Sequence, residues 1–191
     1  QEVLPIPLEE AVLDYQVLAD ACPTYWWGYS LGARYARLEQ DFSATYPFNP
    51  PDGTTTVDTV ANFTGVGPKA GLEGERLLFP SCGLRAYGKG SASFAVGHFA
   101  ASYEQNNQFN GTEAITNIRQ DRIVPILDFE LGLAWVSPGE HVRISGGYMV
   151  AAWFNSINTT GWIESVQNGS YQPAADTITF DGLTARGEVR F

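Results

Sequence analysis

The sequence predicts an all-β chain: an antiparallel up-and-down transmembrane β-barrel, of which these residues form the C-terminal portion of a longer barrel. Three observations predict it. Apolar and polar residues alternate along several stretches, the mark of strands with two unlike faces. Tight links alternate with long polar ones, the rhythm of a membrane barrel with short turns on one side and long loops on the other. The chain also ends on Phe191 after alternating apolar positions, as the last strand of such a barrel does.

Taken in order, the first candidate strand sets Leu13, Tyr15, Val17 and Ala19 against Asp14, Gln16, Leu18 and Asp20. Leu18 breaks the pattern, and a short amphipathic helix over residues 7–20 is the alternative there. Next, Tyr29, Leu31, Ala33 and Tyr35 oppose Gly28, Ser30, Gly32 and Arg34. Val66, Pro68, Ala70 and Leu72 oppose Gly67, Lys69, Gly71 and Glu73. Leu84, Ala86, Ala92, Phe94 and Val96 share a face opposite Arg85, Tyr87, Lys89, Ser91 and Ser93. The clearest case runs from Ile123 to Trp135, where Leu127, Phe129, Leu131 and Leu133 alternate with Asp128, Glu130 and Gly132. Val142, Ile144, Tyr148, Val150, Ala152 and Phe154 then oppose Arg143, Ser145, Met149 and Asn155. The last strand sets Leu183, Ala185, Val189 and Phe191 against Thr184, Arg186, Glu188 and Arg190.

These strands place a barrel domain over 11–191, with 1–10 as an N-terminal extension or loop. Tight links fall at Cys22–Tyr25, Phe79–Cys82 and Ser137–Glu140. Long loops are expected over about 46–60, 105–118 and 157–176. An odd count of seven strands calls for a partner strand before residue 11, because single-chain bacterial barrels have an even number.

Composition excludes other classes. The 21 acidic residues against 11 basic ones give a net charge of −10, the wrong sign for neutralising phosphates. One Met, 20 Gly and 13% aromatic residues do not describe a helical bundle. The longest strongly apolar run, Tyr148–Phe154, is far short of a spanning helix. A soluble sandwich or lipocalin-like barrel alternates too, but the Gly- and Ser-rich polar face, mixed with ionisable residues, favours a wet or ion-paired interior.

On this reading the lumen-facing polar residues are Arg34, Lys69, Glu73, Arg85, Lys89, Asp128, Glu130, Arg143, Arg186, Glu188 and Arg190. Lipid faces Leu31, Leu72, Phe94, Leu127, Phe129, Leu131, Val150, Val189 and Phe191. Asp128 and Glu130 should meet Arg85, Lys89, Arg143 or Arg186, since an interior charge must be paired or hydrated. An ion-pair ladder explains the two acids better than acid–base catalysis or a metal. Trp26, Trp27, Trp135, Tyr148 and Trp153 suit interfacial aromatic belts. His98 and His141 fall on opposite membrane sides, and no serine has a histidine and acid arranged to activate it; no catalytic residue, metal or cofactor is expected. Asn62, Asn110, Asn158 and Asn168 begin glycosylation-type triplets, mostly in expected external loops. Cys22 and Cys82 both fall at tight turns, where an oxidising compartment allows a disulfide; an inter-chain bond and free thiols are the alternatives.

Several segments together resemble the Legionella-type major outer-membrane protein family, pore-forming barrels also found in planctomycetes. They are Leu31–Gln40 (LGARYARLEQ), Phe63–Gly74 (FTGVGPKAGLEG), Ser91–Gly97 (SASFAVG), Arg122–Gly132 (RIVPILDFELG), Gly146–Asn155 (GGYMVAAWFN) and Phe180–Arg186 (FDGLTAR). They recur in order over about 11–191. The resemblance implies an outer-membrane location and a pore-forming role, and family members are typically longer at the N-terminus.

The expected function is a bacterial outer-membrane porin passing small hydrophilic solutes, with its C-terminus on the periplasmic side and no enzymatic activity. The alternatives are a non-conducting structural barrel that anchors a surface assembly, and a soluble β-barrel or sandwich binding module. Expected partners are outer-membrane lipid and lipopolysaccharide, and a homo-oligomer or neighbouring surface protein, but no nucleic acid.

Overall fold

The alternating stretches are strands, and most run further than the alternation marks. The computed structural model describes residues 2–3, 8–48, 53–79, 82–139, 141–157, 159–169 and 176–189. Their elements are β1 (Glu2–Val3), β2 (Leu8–Cys22), β3 (Tyr25–Phe48), β4 (Gly53–Phe79), β5 (Leu84–Asn107), β6 (Gly111–Val136), β7 (Val142–Ser156), α1 (Thr159–Gln167) and β8 (Asp176–Val189). Each strand from β2 to β8 pairs antiparallel with the next, giving one up-and-down sheet. The two residues of β1 continue the β2 row alongside β3, Glu2 opposite Ser43 and Leu8 opposite Leu38. No helix among the described residues is long and apolar enough to cross a membrane.

Residues 8–22 form a strand and not the alternative helix. Strand begins at Leu8, so residues 8–10 belong to the sheet and not to an extension. A register shift between Leu18 and Asp20 absorbs the break that Leu18 makes in the pattern. It sets Asp20 opposite Trp27, on the outward face, where the Tyr25 hydroxyl donates to it at 3.0 Å.

The expected long loops at 46–60 and 105–118 are mostly strand: β3 runs to Phe48, β4 starts at Gly53, and β5 and β6 are separated only by residues 108–110. Only the third expected loop leaves the sheet, and it carries α1. The tight turns stand as expected. The Cys82 and Gly83 amides both donate to the Phe79 carbonyl, and Gly83 (φ +70°) and Gly139 (φ +99°) take left-handed conformations that a side chain would strain. This rim is called the turn end below, and the opposite rim the far end.

The sheet curls strongly. Arg34 on β3 pairs with Asp128 on β6, and Arg143 on β7 meets Glu75 on β4 at 2.7 Å. Three inter-strand steps on a flat sheet amount to about 14 Å, more than these side chains can bridge unless the wall bends toward them. The concave face is therefore the one bearing even-numbered residues on β3, β6 and β8 and odd-numbered residues on β4, β5 and β7. The curl does not close. Among the described residues β2 and β8 each pair on one side only, leaving an open, partial barrel.

Candidate functional site

The convex face carries a continuous apolar band toward the turn end. It is built by Tyr29, Leu31 and Tyr35 on β3, Val66 and Leu72 on β4, Phe94 and Val96 on β5, Ile123, Leu127, Phe129, Leu131, Leu133 and Trp135 on β6, Ile144, Tyr148, Val150 and Phe154 on β7, and Leu183 and Val189 on β8, all exposed. Phe129 is 63% and Leu131 66% exposed, values a water-facing sheet seldom tolerates in contiguous rows. The twelve steps from Ile123 to Trp135 cover about 40 Å of strand. At a tilt of about 45° that is about 28 Å of height, close to the band of about 25 Å of outer-membrane barrels.

Behind this band the concave face is polar and ion-paired. Arg34, only 4% exposed, reaches Asp128, the Ser93 hydroxyl at 3.1 Å and the edge of Glu10 at 4.0 Å; Ser91 donates to Asp128 at 2.8 Å. Lys69 on β4 meets Asp14 on β2 at 2.6 Å. Glu130 accepts both Arg186 nitrogens, at 2.5 and 2.8 Å, the Tyr87 hydroxyl at 2.8 Å and the Thr184 hydroxyl at 3.1 Å. Glu75 accepts a hydrogen bond from Arg85 at 3.2 Å and forms an ion pair with Arg143 at 2.7 Å. A bidentate arginine–carboxylate pair with neutral donors around it is the strongest form such a contact takes. The Tyr87 ring reaches Glu130 across a bare patch of wall. A Cβ at Gly132 would stand 2.7 Å from the ring and one at Gly147 2.6 Å from its hydroxyl.

A cavity of about 360 Å³ lies among these groups, lined by Glu10, Asp14, Gln16, Ser30, Arg34, Lys69, Glu73, Lys89, Ser91, Asp128, Glu130 and Arg186. Glu73 and Lys89 face each other in register across β4 and β5. Lys89 is exposed and Glu73 half-buried.

The structure thus brings together Arg34, Lys69, Glu73, Lys89, Asp128, Glu130 and Arg186 around one cavity. It places Arg85 and Arg143 around Glu75, nearer the turn end, with Glu188 at 4.0 Å from Arg143. Of the four bases expected beside Asp128 and Glu130, Arg186 bonds to Glu130 and Lys89 stands opposite Glu130 in register, whereas Arg85 and Arg143 gather around Glu75. Asp128 finds Arg34 instead, a contact that only the curl makes and that spacing along the chain cannot show. Arg190 and Phe191 lie outside the described residues. Cys22 and Cys82 are both exposed, with no bond between them.

Toward the far end the polarity of the wall reverses. Outward positions become Arg37, Glu39 and Asp41 on β3, Asp58 on β4, His98 and Glu104 on β5, and Arg119 and Asp121 on β6. Inward positions become Ala36, Leu38, Val57, Ala61, Phe63, Phe99, Ala101, Tyr103, Val124 and Ile126, all buried in one apolar cluster. Trp153 joins it, fully buried, and so does not stand in an interfacial belt; its odd position on β7 points to the concave side. Its ring meets Phe63 and Phe180 edge-on, at 6.4 and 6.3 Å. Sequence reasoning missed this core because its apolar residues are interleaved with charged and polar ones that loops also use.

Residues 27–191 match the family model described as Legionella pneumophila major outer membrane protein precursor. No curated relative and no solved structure matches the chain. The match spans well over half of the residues, includes every strand from β4 to β8 and nearly all of β3, and agrees with the outward apolar band. The chain belongs to the Legionella pneumophila major outer membrane protein family.

Proposed function

We propose that the chain builds the wall of an outer-membrane pore through which small hydrophilic solutes diffuse passively. The observation that supports this best is the pairing of two faces at one height: an exposed apolar band outside and a polar, charge-lined cavity of about 360 Å³ inside. Lipid cannot hydrogen-bond a backbone, so a membrane wall of this kind has to be a sheet. On this reading Leu31, Leu72, Phe94, Leu127, Phe129, Leu131, Val150 and Val189 touch acyl chains and lipopolysaccharide. Lys69, Glu73, Lys89, Asp128, Glu130 and Arg186 meet the solute path. The turn end, with the C-terminus, faces the periplasm, as short turns do in such barrels. The protein performs no bond chemistry; it holds fixed charges in balance so that neither sign of solute is strongly excluded.

A second reading, a non-conducting barrel that anchors a surface structure, is favoured by one observation: the interior of the far half is filled by apolar side chains. Single-channel recording of the purified full-length protein in a planar bilayer separates the two. Discrete conductance steps are expected. A detergent-extracted, folded sample that never conducts would transfer the assignment to the anchor.

A further inference from the structure

We infer that α1 is a plug that closes the far end of the polar cavity. The inference rests on the pore reading. The helix belongs to the β7–β8 connection but does not stand outside the wall: it lies on the concave face, against β3, β4 and β5. Ile157, just before it, is fully buried, Trp162 within it is 1% exposed, and both join the apolar cluster with Trp153. The Gln40 amide on β3 donates to the Ile157 carbonyl at 3.3 Å, tying the plug's stem to the opposite part of the wall. Trp153 on β7 touches Phe63 on β4 and Phe180 on β8, so the ring under the helix spans the concavity. A hydrated solute rising from the charged cavity therefore meets an apolar, water-excluding layer, and its passage requires α1 to leave.

The seat is built to part. The indole nitrogens of Trp153 and Trp162 and the Thr59 hydroxyl are buried there without a hydrogen-bond partner among the described residues. Interiors that never open seldom leave such groups unpaired, because each costs part of the packing gain. The other two far-end connections, between β3 and β4 and between β5 and β6, are short and carry no helix among the described residues. Among the described residues, then, the β7–β8 connection is the one equipped to fill the bore.

The test compares single-channel records of the natural full-length protein with two variants, Trp162→Ser and the replacement of residues 159–167 by nine Gly and Ser residues. Heat-modifiable gel migration establishes that each is folded. The expected result is short, infrequent openings in the natural protein, at least about tenfold longer open times in Trp162→Ser, and continuous conduction in the replacement. Should the replacement fail to fold, Trp162→Ser decides. Equal open times in natural protein and variants would overturn the plug while leaving the pore standing. Silence from all folded samples would overturn both.

Discussion

The two halves of the wall solve opposite problems with the same strands. Near the turn end, β6 sets Leu127, Phe129 and Leu131 outward and Asp128 and Glu130 inward. Near the far end the same strand sets Arg119 and Asp121 outward and Ile118 inward, packed on the apolar cluster. The reversal occurs on β3 between Tyr35 and Arg37, on β4 between Val66 and Thr64, on β5 between Val96 and His98, and on β6 between Ile123 and Asp121. Tyr35, Val66 and Val96 are register partners in turn, and Val96 is opposite Ile123. One line therefore runs across four strands, below which hydrocarbon suits the outside and above which water does. The lesson is that solvent, and not strand propensity, sets which face is apolar.

Substitutions that act on one half and spare the other sharpen the contrast. The largest effect is expected from Trp153→Ala in the apolar cluster, about 3–5 kcal/mol of stability lost to an unfilled core, read as a lower urea midpoint for refolding into bilayers. An unchanged midpoint would mean that the cluster is no packed core. Phe129→Arg on the outer face should cost about 2–4 kcal/mol, as cations at mid-bilayer do. Asn117→Arg on the outer face of the same strand should stay within about 0.5 kcal/mol. Equal effects at the two positions would erase the dividing line. Glu130→Gln in the near half should cost less than Phe129→Arg, about 1–2 kcal/mol. It unpairs Arg186 and weakens the Tyr87 contact, but Arg186 is 44% exposed and water restores part of the loss.

The near half was legible in the sequence because its outward residues are large and its inward ones polar, so alternation alone separates them. The far half was read as loop for the opposite reason. Around Val57, Thr59 and Ala61 the inward residues are small or hydroxylated, and their neighbours Asp58 and Asn62 are the residues loops use. Helix α1 escaped notice because Thr159, Thr160 and Gly161 are weak helix formers. Its only signal is the spacing of Trp162, Ile163 and Val166, which share one side of a helix. The partners of the cavity charges were beyond reach of spacing. Arg34 and Asp128 are 94 residues apart, and nothing short of the curvature of the sheet predicts their meeting.

The two bare edges carry a consequence for assembly. Between β2 and β8 the chain reverses direction six times, so both edges point the same way along the barrel axis. Sealing the gap with antiparallel neighbours takes an odd number of added strands. Two identical copies seated upright in one membrane could join rim to rim only through parallel ladders, which makes simple pairwise self-closure a poor route to a sealed cylinder.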